Sequence, residues 1–177
     1  MTEQTETGCE WEYDLTDVDT ETSLPDGFTV DSLSDSPDAD RAAIARCIEL
    51  AFGTPHDLEG VLLNSETNPM FRPELTVFAR SPEGVVAAYC RGTVDPVSGV
   101  GGIDPICTHP EYQKLGLGKA VVRTTFARQR ELGGLYAYIG SEPPPAPGTF
   151  LYRSLGPNGM SLACEWSIAA SVAGDDG

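Results

Sequence analysis

The feature that most constrains the fold is a glycine-containing turn between an apolar run and a long amphipathic stretch. Residues 108–120, THPEYQKLGLGKA, predict a strand end, a turn and a helix start in succession. The first N–H groups of a helix have no intrahelical acceptor, and the helix dipole favours negative charge at that end. Glycines also let a phosphate approach the backbone closely. The segment therefore predicts an anion site, and a pyrophosphate suits it.

Two other phosphate-binding motifs do not match these residues. The P-loop needs a glycine five positions before Gly118 and Ser or Thr after Lys119, where the chain has Gln113 and Ala120. The dinucleotide fingerprint G-x-G-x-x-G needs a third glycine where Val121 stands. The anion site therefore belongs to neither class.

The rest of the chain predicts an α/β protein with a mixed sheet. Strands are expected at residues 28–33, 75–79, 85–90, 100–108, 135–139 and 160–168, and helices at 42–52, 57–63, 118–132 and 149–155. Asp104 and Pro105 interrupt the fourth strand, and proline cannot donate to a β-ladder. That strand is therefore expected to be bulged near Pro105.

The acidic residues are concentrated at the N-terminus. Residues 1–40 contain thirteen acids and no Lys or Arg, so the remainder is only mildly acidic. This composition predicts a flexible acidic segment over residues 1–26, a single domain over 27–170 and a C-terminal tail over 171–177. A Trp11-Glu12-Tyr13 patch leaves open an added edge strand or docking on the domain. The acidic segment would repel nucleic acid and anionic membranes, so neither is expected as a partner.

Composition also gives expectations about location and metals. No apolar run approaches the roughly 18 residues of a membrane span, and residues 1–10 do not resemble a targeting signal, so a cytoplasmic protein is predicted. Five cysteines without a C-x-x-C pair and two histidines predict reduced thiols and no metal site. The chain has two lysines, nine arginines and a surplus of acidic residues. This composition is typical of proteins from a salt-rich cytosol.

The pattern Gln113-x-x-Gly116-x-Gly118 resembles the acetyl-CoA signature Q/R-x-x-G-x-G/A of the GNAT N-acetyltransferase superfamily. The context is also similar: a preceding strand, a following amphipathic helix, another strand, and then Leu151-Tyr152-Arg153-Ser154-Leu155-Gly156. The resemblance covers roughly residues 28–166 and is strongest over 102–132. It implies a GNAT-like mixed, mostly antiparallel central sheet flanked by helices, with the bulged strand at the cofactor site.

The same resemblance implies which residues hold acetyl-CoA, the acyl donor. Backbone N–H groups from Lys114 to Lys119 would bind the pyrophosphate, and residues 106–108 would pair with the pantetheine arm and polarise the thioester carbonyl. Many members carry an asparagine after the corresponding strand; here Ser141 would stand in for it, or that contact with the pantetheine arm would be absent. The predicted cofactor-binding residues are Ile106, Cys107, Thr108, Gln113, Lys114, Leu115, Gly116, Leu117, Gly118, Lys119 and Ser141. Gly156-Pro157 departs from the family's usual Gly-Phe.

Two residues are candidates for proton transfer. An acceptor amine with a lysine-like pKa of about 10.4 is mostly protonated at neutral pH, so its attack needs a base. Asp104, just before the expected bulge, is the predicted base, and a role in shaping the turn is the alternative. The resemblance implies Tyr152 as the acid that protonates the departing thiolate, and an ordinary core aromatic is the alternative. His109 is expected to be a cap or surface residue rather than a catalyst.

The predicted activity is acetyl transfer from acetyl-CoA to an amine of a small molecule or peptide. The acceptor stays open among an amino acid, a polyamine, an antibiotic and a protein N-terminus. A catalytically weak acetyl-CoA-binding sensor or interaction module is the alternative, and a passive scaffold with an acidic arm is a third. A monomer and a homodimer are both compatible with the sequence.

Overall fold

A computed structural model describes residues 2–39, 41–53, 66–67, 71–146 and 148–168, with side chains between residues 8 and 162. Its strands are β1 (Thr2–Asp14), β2 (Thr29–Ser32), β3 (Thr76–Arg80), β4 (Val86–Asp95), β5 (Val100–Thr108), β6 (Tyr136–Ser141) and β7 (Gly159–Ile168). Its helices are α1 (Arg41–Phe52), α2 (Leu117–Glu131) and α3 (Thr149–Ser154). The helix expected at 57–63 and the tail at 171–177 lie outside the described residues.

The strands form one mixed sheet, as the sequence predicted. Their order is β2-β3-β4-β5-β6-β1-β7, and every neighbouring pair is antiparallel except β5 with β6. The helix α2 connects these two parallel strands. None of the helices in the described ranges has the length and apolar character needed to cross a lipid bilayer.

The predicted bulge in β5 is confirmed. Cys90 pairs with Ile106 and Gly92 with Ile103, so Asp104 and Pro105 lie opposite Arg91 alone. On its other edge, β5 pairs with β6 only from Val100 to Gly102, although β5 runs to Thr108 and β6 to Ser141. Residues 103–108 and 139–141 therefore border a gap in the ladder, which we call the opening.

The two faces of the sheet bury different helices. Alternate residues of β3 point to opposite faces, so Val77 packs in the cluster under α2 while Phe78 packs in the cluster under α1. Two glycines let α2 approach closely: a Cβ at Gly92 would lie 2.6 Å from Thr125, and one at Gly101 would lie 2.7 Å from Gln129. This contact fixes α2 against the strands that border the opening.

The N-terminal segment is not a flexible tail, and that prediction was wrong. Strand β1 lies inside the sheet between β6 and β7, so it is not an added edge strand either. Trp11, Tyr13 and Leu15 are buried, while Glu10 before them is exposed and Glu12 and Asp14 between them are partly exposed. Acidic residues alternate with apolar ones along β1, which sends the charges to solvent and the aromatic rings to the core. The acidity of the segment concealed this alternation.

A pair of substitutions tests the role of this segment. Leu15→Ala should lower the free energy of unfolding by about 2 to 5 kcal/mol, since it empties a fully buried site. Glu10→Ala, on the exposed face of β1, should change it by less than about 0.5 kcal/mol. Urea unfolding followed by circular dichroism measures both. Equal, negligible effects would restore the flexible-tail interpretation.

Candidate active site

The predicted anion loop is exposed and lies at the start of α2. Lys114 and Gly116 both adopt left-handed conformations, with φ of 64° and 82°. The N–H of Ala120 bonds to the carbonyl of Gly116, so the N–H groups of residues 117–119 precede the first intrahelical bond. Successive N–H groups around a left-handed residue form a concave anion-binding surface. The loop can therefore hold a phosphate group.

Three elements meet beside this loop. A Cβ at Gly118 would lie 3.1 Å from Thr108 Oγ1, at the end of β5, and 3.5 Å from Leu151 on α3. Any side chain at this position would have to displace one of these neighbours. The lack of a side chain at Gly118 therefore keeps the start of α2 close to the end of β5.

The strand bordering the opening presents its backbone rather than its side chains. Cys107 is buried on the face covered by α1, and Ile106 packs partly against the cluster under α2. Because β5 has no ladder partner in β6 beyond Gly102, peptide groups on that edge are available to a ligand. This arrangement fits the expectation that backbone groups of residues 106–108 matter more than their side chains.

Tyr152 lies on α3 and is half-buried beside the opening. Its ring packs against Trp11, with centroids 6.1 Å apart and planes tilted by 49°. Burial raises the pKa of the Tyr152 phenol above its ordinary value, and electrostatic interactions with Cys90 and Asp104 raise it further. The phenol is therefore held in its protonated form, as a proton donor requires.

Asp104 lies in the bulge and is exposed. Its main-chain carbonyl accepts a hydrogen bond from Arg91 Nε at 3.1 Å, which ties the bulge to β4. Asp104 also contributes to the pKa of Tyr152, so the two candidate catalytic residues interact electrostatically. The fold thus brings together residues that are 48 positions apart in the chain.

Ser141 is at the end of β6, at the border of the opening. Its hydroxyl donates to the carbonyl of Glu142 at 2.9 Å and accepts from Trp11 Nε1 at 3.1 Å. The hydroxyl proton is therefore already used, and one lone pair remains to accept from a ligand.

Two polar residues near the loop have structural contacts. His109 Nδ1 accepts from the N–H of Glu111 at 3.2 Å and caps a short 3-10 turn, which confirms its expected role as a cap. The side chain of Lys119 donates to the carbonyl of Ser154 at 2.8 Å. The ammonium group of Lys119 thus supports the C-terminal end of α3, while its backbone belongs to the loop.

Several residues that shape the site were not predicted from the sequence. Arg91 holds the bulge, and Gln129 Nε2 donates to the carbonyls of Thr93 and Gly102, where the β5–β6 pairing stops. Trp11, from the supposed tail, packs against Tyr152. The period-two spacing of Trp11 with Tyr13 was the signal that a strand was present.

The family of the chain follows from comparison with known domains. The model of the acetyltransferase (GNAT) family matches residues 42–156, well over half of the sequence. The chain belongs to the GNAT acetyltransferase family. No curated protein matches the sequence at a significant level.

Solved structures share the fold. A GCN5-related N-acetyltransferase from Sphaerobacter thermophilus superposes with a TM-score of 0.71 at 21% identity, over 92% of this chain and 51% of that one. The ribosomal-protein-S18-alanine N-acetyltransferase from Escherichia coli gives 0.58 at 22% identity, over 73% and 76%. A GNAT acetyltransferase from Colwellia psychrerythraea gives 0.65 at 10% identity, over 93% and 55%. The chain therefore spans about half the length of two of these proteins.

One buried tyrosine near the bulge has an unusual hydroxyl. Among the described residues, the Tyr89 hydroxyl has no hydrogen-bond partner, whereas that of Tyr13 donates to the carbonyl of Tyr152. Tyr89 lines a small cavity with Arg91 and with the ion pair of Arg41 and Glu66. Burial raises the pKa of Tyr89 well above its ordinary value.

This difference predicts a pH-dependent effect on stability. Above the ordinary tyrosine pKa of about 10, Tyr89 ionises in the unfolded chain before it ionises in the folded one, so stability is lost as pH rises. Tyr89→Phe should remove part of this loss and cost less than about 1 kcal/mol at neutral pH. Tyr13→Phe should be costlier at neutral pH because it breaks a hydrogen bond. Urea unfolding between neutral and alkaline pH measures both, and an unchanged alkaline slope in Tyr89→Phe would contradict the prediction.

Proposed function

We propose that this protein transfers an acetyl group from acetyl-CoA to a primary amine of a small molecule or peptide. The observation that carries the proposal is the opening between β5 and β6, which leads to the exposed loop at the start of α2. The unpaired strand edge leads into the anion-binding loop. Together they suit a ligand that has a peptide-like arm and a pyrophosphate. Acetyl-CoA has both parts.

The residues of the loop fit the pyrophosphate. N–H groups of residues 117–119 point out of the helix start, and the left-handed Lys114 and Gly116 make the preceding backbone concave. A Cβ at Gly118 would lie 3.1 Å from Thr108 Oγ1, so a side chain there would crowd the space between the loop and β5. In the proposed complex, peptide groups of residues 106–108 pair with the pantetheine arm along the opening and polarise the thioester carbonyl.

Asp104 and Tyr152 are proposed to act as base and acid in the acetyl transfer. Asp104 takes a proton from the ammonium form of the acceptor, directly or through a water, and leaves a neutral amine. The nitrogen lone pair attacks the thioester carbonyl carbon, collapse of the tetrahedral species breaks the carbon–sulfur bond, and the nitrogen loses its second proton to water. Tyr152 gives its phenolic proton to the sulfur and recovers one from water, while Asp104 releases to water the proton that it took. With a pKa above the ordinary value, the Tyr152 phenol carries its proton at neutral pH, as a donor must.

The acceptor is proposed to be soluble and amine-bearing, and the acidic surface is proposed to suit a cytosol rich in salt. We propose neither a nucleic acid nor a membrane as a partner. A monomer and a homodimer both fit it. Acetyl-CoA-dependent turnover of an amine separates the transferase from a binding module of the same fold.

Binding tests the cofactor part of the proposal. Titration calorimetry of the full chain with acetyl-CoA, in dilute and in molar salt, should show one saturable site. Gly118→Asp should weaken it by about 100-fold, since like charges roughly 4 Å apart repel by about 1 to 4 kcal/mol near a protein surface. Gly159→Asp, at the start of β7 and beside no loop residue, is the charge-matched control. No binding in either salt would overturn the proposal.

Kinetics test the catalytic part. Release of coenzyme A thiol is followed with glycine, putrescine and an alanine-initiated peptide as acceptors. Asp104→Asn should lower kcat by about 100-fold or more while the KM for acetyl-CoA changes little. Asparagine shapes turns as well as aspartate does, so a merely structural Asp104 would leave kcat unchanged in this variant. Binding without acceptor-stimulated release would identify a sensor or interaction module instead.

A further inference from the structure

The position of Tyr152 is not determined by its own helix. Helix α3 has only six residues, and its N-cap residue, Gly148, has no side chain to cap it. Helices this short are not stable alone in water, so tertiary contacts must fix them. Two of its C-terminal carbonyls accept hydrogen bonds from distant side chains: Tyr152 O from Tyr13 Oη at 2.9 Å and Ser154 O from Lys119 Nζ at 2.8 Å.

Strand β1 supplies a second contact to the same residue. The Trp11 ring packs against the Tyr152 ring, and its indole N–H donates to Ser141 Oγ at 3.1 Å. Ser141 ends β6 on one border of the opening, while Tyr152 approaches from α3. Trp11 therefore joins two candidate site residues that belong to different elements.

Both β1 residues are held rigidly. Trp11 and Tyr13 are two positions apart, so their side chains lie on the same face of the sheet, and they are 2% and 0% exposed. The Tyr13 ring packs on Phe126 of α2 with centroids 4.9 Å apart. Tyr13 thus connects the helix that begins at the anion loop to the helix that carries Tyr152.

We propose that Trp11 and Tyr13 are positioning residues of the active site, which set the place of the Tyr152 phenol relative to the opening. The inference rests on the proposed function, because it gives Tyr152 the role of proton donor. It assigns to the N-terminal strand a part in catalysis in addition to its part in the core.

The phenol itself supplies a readout that does not depend on turnover. Burial is the main cause of the raised pKa of Tyr152, so a displaced α3 would hydrate the phenol and lower its pKa toward the ordinary value of about 10. The ionisation of Tyr152 is followed by ultraviolet difference absorbance, with Tyr152→Phe providing the baseline for each variant.

The decisive experiment is a double-mutant cycle on coenzyme A release. Tyr13→Phe keeps the ring and removes only the hydroxyl, and it should lower kcat by about tenfold in the otherwise native chain, as slight misplacement of a reacting group does. In the Tyr152→Phe background the same substitution should cost nothing further, because the group that Tyr13 positions is already absent. Trp11→Phe removes the hydrogen bond to Ser141, so it should raise the KM for acetyl-CoA by a few fold. It should lower kcat less than Tyr13→Phe does.

A matched control distinguishes the loss of a positioning contact from the loss of any tyrosine hydroxyl on a strand. Tyr138 lies on β6, and its hydroxyl bonds across the strand pair to Glu12 at 3.2 Å. Tyr138→Phe should leave kcat, KM and the ionisation of Tyr152 unchanged.

The outcomes are distinguishable. Additive losses in Tyr13→Phe and Tyr152→Phe, or an unchanged Tyr152 ionisation in Tyr13→Phe, would overturn the positioning role. If no amine stimulates coenzyme A release, the proposed transferase activity fails, and the ionisation of Tyr152 still decides whether Tyr13 sets its environment. If Tyr152→Phe itself leaves kcat unchanged, Tyr152 is not the proton donor and the inference is overturned with that assignment.

Discussion

The architecture depends on a proline in the interior of a central strand. Pro105 has no N–H to donate, so β5 cannot keep regular ladders along both of its edges. Toward β4 the chain absorbs this as a bulge opposite Arg91. Toward β6 the ladder already ends at Gly102, and the strand edge beyond it is where an extended ligand can add its own hydrogen bonds. A local defect in the sheet is thus the basis of the site.

The elements around this defect are arranged so that each supplies a different kind of group. The parallel connection from β5 to β6 runs through α2, which puts a helix N-terminus at the end of β5. The bulge offers a carboxylate, Asp104, and α3 offers a phenol, Tyr152. Gln129 fixes the carbonyls at which the strands part. In the proposed mechanism, charge binding, backbone pairing and proton transfer therefore come from separate elements that converge on one gap.

Much of this was predictable because it is encoded locally. The helical stripe that includes Val121 and Phe126 gave α2 to within a residue, and Asp104-Pro105 gave the bulge, since proline chemistry acts within its own strand. The N-terminal segment was mispredicted because its acidic residues suggested a solvated tail. Glu10 is exposed in the structure, but Trp11 and Tyr13 near it are core residues. Both hold because β1 is a strand between β6 and β7, with one face toward solvent and the other toward the core.

The sequence by itself determined the order of the described elements after β1, the interruption of β5 and the glycine loop that precedes α2. These features follow from residues close together in the chain, whose conformational limits hold in any fold. Only the tertiary structure decided that β1 is an interior strand and that it contacts Tyr152. The Tyr13–Tyr152 bond spans 139 residues and the Trp11–Ser141 bond spans 130. No local preference encodes such pairs, because they form only when the burial of many side chains brings the two ends of the chain into one sheet.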